Sequence, residues 1–136
     1  GLSVGSPGMA IYYAQHAASW LELAVSFVNK SLSQDYTDLF FELTDADLSD
    51  AADAKRFLEV LSFLLTDLAR SIAGSTLRIP ETTARIDLLN HPMVDVNAVD
   101  MALVCVQETM SRIASRRTAP SVCLQSLSIK LFEGAK

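Results

Sequence analysis

The sequence predicts an all-α domain, a bundle of five or six helices. Three observations predict it: apolar residues recur at three- and four-residue spacing along most of the chain; the breaks between these stretches carry capping residues, glycine or proline; and no alternating stretch is flanked by hairpin turns. The chain has 136 residues, half of them hydrophobic, with five glycines and four prolines. That is one domain's worth of sequence, able to bury a real core without metals or disulfides.

The elements follow in order. Ser6 caps a first helix with Pro7 at its first position, where a missing N–H costs nothing, and Met9, Ile11, Tyr12 and Tyr13 follow. A second segment carries Trp20, Leu21, Leu23, Ala24, Phe27 and Val28, with the break between the two expected near His16 to Ser19. Ser33 and Asp35 offer caps for a short helix with Leu39, Phe40 and Leu43 that ends in the polar cluster TDADLSD.

The longest helix runs from about Ser49 to Ala73. Phe57, Leu61, Leu64, Leu65, Leu68 and Ile72 form one stripe of a 3.6-residue period, and Val60 and Phe63 widen it, so the helix should touch more than one neighbour. Gly74 stops it, STLRIP is a loop, and ETTARIDLLN is a short amphipathic segment closed by His91 and Pro92. Asp95 or Asn97 caps a further long helix with the stripe Val99, Ala102, Leu103, Val106, Met110 and Ile113, finishing on Arg116 and Arg117. Pro120 opens a final helix carrying Val122, Leu124, Leu127, Ile129, Leu131 and Phe132.

Catalytic groups do not fall into any motif. His16 and His91 are far apart in sequence and have no carboxylate at metal-ligand spacing, so each is expected as a surface or capping residue. The acidic run DADLSDAAD lacks the glycine and glutamate of a calcium loop and suits the first turn of the long helix. Cys105 and Cys123 sit in apolar surroundings with no CxxC partner and are expected as small buried hydrophobes of a reducing cytoplasm. No enzyme activity, cofactor or metal is expected. A net charge of -5 disfavours a grip on nucleic acid by this segment. No apolar stretch reaches the ~18 residues that span a bilayer. The missing initiating Met and signal peptide suit a piece cut from a longer cytoplasmic protein.

Arg112, Arg116 and Arg117 form a basic cluster. Complementing a helix end accounts for it, and an acidic partner surface is the functional alternative. Aromatic residues concentrate in the first third without interleaved lysine or arginine, which suits core packing or a protein interface rather than base stacking. The segment GSPGMA has neither the lysine nor the hydroxyl of a P-loop, and its proline removes an N–H donor, so it is a helix start.

Taken together, GSPGMA at the head of a helix, the stripe FLEVLSFLLTDLARSI and the closing PSVCLQSLSIKLF resemble the C-terminal part of the delta-prime subunits of bacterial DNA polymerase III. These subunits belong to the clamp loader, a pentamer of AAA+ related chains that opens the sliding clamp and sets it around primed DNA. The resemblance implies that residues 1–17 end the AAA+ lid subdomain and that residues 18–136 form a helical collar. ATP-hydrolysing relatives have GSxR where this chain has GSPG, so Gly8 stands in place of an arginine that reaches the nucleotide phosphates. It further implies a non-catalytic oligomerisation role within a holoenzyme that is a DNA-directed DNA polymerase. The partners would be the delta and the ATPase gamma/tau-type subunits, with Phe63, Arg112, Arg116 and Arg117 as candidate contact residues and no direct hold on DNA. Two other readings stay open: a free-standing helical adaptor that takes a partner helix in an apolar groove, and a helical enzyme or metal carrier using His16, His91 or the 45–53 acidic cluster.

Overall fold

A computed structural model describes residues 7–116 and 118–135, with side chains from residue 19 onward. The order is α1 (Pro7–Ser33), α2 (Tyr36–Asp45), α3 (Ala51–Ala73), α4 (Pro80–Thr83), α5 (Val96–Ser115) and α6 (Pro120–Lys130), with no strand among the described residues. The expected all-α bundle is therefore the observed one. None of these helices is long and apolar enough to cross a membrane.

The break expected near His16 to Ser19 is absent, and α1 runs through it as one helix. Ala14, Ala17 and Ala18 are strong helix formers and neither glycine nor proline occurs between Met9 and Ser33, so nothing interrupts the hydrogen-bond ladder. The expected lid–collar boundary at residue 17 thus lies inside α1. The proposed Ser6 cap lies outside the described residues. The helix ends where Gln34 turns left-handed at φ 62 and the Asp35 N–H reaches back to the Lys30 carbonyl at 2.9 Å. Ser33 belongs to this ending, its hydroxyl donating to the same carbonyl, and does not cap α2; Asp35 precedes α2 without a side-chain cap bond.

The central helix is α3. Asp50 caps it, with its Oδ1 accepting the Ala52 N–H at 2.7 Å, and the helix begins just beyond the expected Ser49. Phe57, Leu61, Leu64, Leu65 and Leu68 are fully buried, and Ile72 and Val60 are partly so. The wide stripe meets several neighbours as expected: α3 packs against α1 and α4 and most extensively against α5. The Phe57 ring lies 5.8 Å from Phe27 of α1 at a tilt of 60°. Gly74 at φ 76 terminates α3, with its N–H on the Ser71 carbonyl and that of Ser75 on Arg70.

Of ETTARIDLLN only the start is helical. Asp87 diverts the rest by accepting the Asn90 amide side chain at 3.0 Å. Asp95, not Asn97, caps α5 by accepting the Ala98 N–H at 2.8 Å, and Val99, Ala102, Val106, Thr109 and Ile113 are buried. α6 packs on α5, α2 and α1. Leu131 and Phe132 lie beyond its end in extended and left-handed backbone but are buried, while Val122 and Ile129 are exposed on α6.

Candidate interaction surfaces

Phe63 is 38% exposed on the outer side of α3, and the Arg78 guanidinium sits over its ring, 5.3 Å from the centroid. Arg78 is held there by Asp67, a residue that sequence reasoning did not single out. Asp67 is buried on α3, and its two oxygens accept the Arg78 N–H at 2.8 Å, the Ile79 N–H at 3.0 Å and the Thr83 hydroxyl at 2.8 Å. Burial alone would push its carboxyl up. The two backbone N–H donors, the Thr83 hydroxyl and the nearby Arg70 charge outweigh that and hold it below its ordinary value. One buried carboxylate thereby fixes both the α3–α4 loop and the cation above Phe63.

Arg112 and Arg116 lie near the C-terminal end of α5, and Arg78 is the cation that covers Phe63. Arg116 is exposed and takes a left-handed conformation at φ 58, closing α5 where a glycine would be more usual. Arg112 borders a shallow depression between α5 and α6 with Glu108, Thr109 and Lys130. Among the described residues neither arginine is in an ion pair, while Arg117 lies outside them.

A cleft of about 810 Å³ runs along α1 between α2 and Arg85. Its walls mix apolar side chains such as Trp20, Leu23 and Val25 with charged ones. Arg85 donates from Nη1 and Nη2 to the two oxygens of Glu22, each at 2.7 Å, which lowers the Glu22 carboxyl. Lys30 bonds Glu42 and lies 3.4 Å from Asp38, and the Ser26 hydroxyl donates to Glu42 at 2.5 Å.

In the acidic run, Asp50 is a helix cap and Asp47 accepts the Ser49 hydroxyl at 2.9 Å. His91 lies half-buried near Asp87, and the His16 side chain falls outside the described residues. Cys105 is half-buried and Cys123 buried, both free; burial and then the Glu108 charge push the Cys105 thiol up, away from nucleophilic use.

No protein-family profile, curated protein or solved structure matches the chain. The surface therefore speaks through its own chemistry. In the aromatic-rich first third, where described, Trp20 and Phe27 are buried, Phe40 is half-buried against Tyr36, and Phe41 is 67% exposed. Sequence reasoning took Phe63 as a widening of the α3 stripe. It also passed over Leu89, Met93 and Met101, which are exposed at 95%, 68% and 68%. Loop residues carry no periodicity, and Met101 lies opposite the α5 stripe, so no pattern marked any of them.

Proposed function

We propose that this chain is the helical collar, with the last helix of the AAA+ lid, of a delta-prime-type clamp-loader subunit, a non-catalytic oligomerisation element of cytoplasmic DNA replication. The observation that carries the reading is GSPG at the head of α1, with Gly8 in the first turn where ATP-using relatives have an arginine. An all-helical bundle that takes in the second half of that helix supports it. The reading makes Phe63, Arg112, Arg116 and Arg117 the candidate contacts to the delta and gamma/tau-type subunits.

The wide apolar arc of α3 adds no support, because Leu61, Leu64, Leu65 and Leu68 fill this domain's own core. The test is assembly. The parent protein is mixed with the loader's ATPase and delta subunits, and the mass of the product is measured by light scattering. A hetero-oligomer at micromolar concentration is expected. Its absence, or an intact P-loop in the parent chain, overturns the reading.

A further inference from the structure

We infer that one end of the bundle is a docking face for a basic amphipathic helix, a partner segment with apolar side chains set between lysines or arginines. The inference goes beyond the loader reading and holds for whichever assembly the chain joins. The end is defined by contacts that gather there. Asn29 of α1 donates to the Arg85 carbonyl at 3.0 Å and accepts the Asp87 N–H at 2.9 Å, which ties the α4–α5 connection to the end of α1. The Ser31 hydroxyl bonds the Ser128 carbonyl, which brings in the end of α6, and Lys130 and Phe132 stand against Ala98 and Met101 at the start of α5.

On this end the chain displays Leu89 at 95% exposure and Met93 and Met101 at 68% each. The connection that carries Leu89 and Met93 is fixed, because Ile86 and Val94 are buried anchors and the His91 and Val94 N–H groups close turns on Leu88 and His91 at 3.1 and 3.2 Å. A fixed backbone presenting bare apolar side chains has little ordering left to do when a partner arrives. Beside Met101 a cavity of about 100 Å³, with Ala98, Ala102 and Phe132 among its walls, is open to a partner's apolar side chain.

Charge selects the occupant. Asp87, Asp95 and Asp100 border the apolar residues, and among the described residues none of the three is in an ion pair. Arg85, two residues from Asp87, is engaged by Glu22, and Lys130 shares the cavity rim with Glu133. Asp87 already accepts from Asn90 and Asp95 from the Ala98 N–H, but both keep their charge, and an apolar surface edged by such carboxylates is complementary to an apolar stripe edged by cations and repels an acidic one.

The experiment titrates the chain with two synthetic amphipathic helices, one leucine–lysine and one leucine–glutamate, by calorimetry, with sedimentation run in parallel. The leucine–lysine peptide should bind saturably and the leucine–glutamate peptide should not. Leu89→Asp should weaken binding about tenfold or more, although it adds negative charge that would strengthen a purely electrostatic contact. Met101→Ser should weaken it independently, Asp87→Asn with Asp100→Asn should reduce its salt dependence, and Phe41→Ser, elsewhere on the surface, should leave it unchanged. Circular dichroism checks that each variant is folded. Equal binding by Leu89→Asp and Met101→Ser, equal binding of both peptides, or no saturable binding overturns the inference. So does a wild-type dimer that Leu89→Asp makes monomeric, because a second copy would then be the occupant.

Discussion

Asp67 and Thr83, sixteen residues apart, are joined inside the protein by a 2.8 Å hydrogen bond from the threonine hydroxyl to the carboxylate. The same carboxylate takes two backbone N–H groups of the loop between them, so α4 is placed by a side chain of α3. Asp67→Ala strands these buried donors, and a loss of roughly 1–3 kcal/mol is expected in urea unfolding. Asp67→Asn keeps one acceptor and should lose less. Hydrogen exchange should show the Arg78 and Ile79 amides deprotected in Asp67→Ala, and intact protection there would refute the assignment.

The lowered Asp67 carboxyl also sets a pH dependence. A carboxylate depressed on folding contributes stability that is fully present above its unfolded value, about 3.9, and is lost as pH falls through the lower folded value. The stability gap between wild type and Asp67→Asn should therefore be constant near neutrality and narrow below about pH 4. A gap that widens on acidification would contradict it.

Arg78 over Phe63 is an exposed cation–π contact and should contribute little, about 0.5–1 kcal/mol. Arg78→Ala and Phe63→Leu are each expected to shift the unfolding midpoint only slightly, and the double variant should lose less than the sum. Strict additivity would mean the two side chains do not interact.

By contrast, Phe57 and Leu64 are wholly enclosed. Phe57→Ala should cost about 3–5 kcal/mol and Leu64→Ala about 2–5 kcal/mol. A Leu64→Ala protein as stable as wild type would show that α3 does not sit at the centre of the core.

Gly74 separates backbone strain from crowding. A methyl group there would meet nothing within 4 Å, yet φ is 76. Gly74→Ala should thus destabilise by about 1–2 kcal/mol through backbone strain alone. Thermal unfolding would read it, and an unchanged midpoint would mean that the α3 ending is not left-handed in solution.

Legibility followed the range of the chemistry. Asp95 and Gly74 were readable because a cap or a helix stop acts within a few residues, and the α3 stripe because burial repeats with the helical period. Asp67 was not, since its partners lie across a loop whose path leaves no local signature. The expected break in α1 gave too much weight to polar residues that a helix tolerates on its outer side. Of the surface residues, the α5 arginines stood out as a charge cluster. Leu89 and Met101 did not, because an exposed apolar residue differs from a buried one only in what surrounds it.

The bond from Ser31 to the Ser128 carbonyl spans 97 positions and joins the first long helix to the last. During synthesis α1 through α5 leave the ribosome before α6, so the early helices wait with one apolar side uncovered until Leu124, Leu127, Leu131 and Phe132 arrive. Completion of the core is thus timed by the emergence of α6, and a product stalled before that helix would expose the greasy seam that chaperones and proteases recognise.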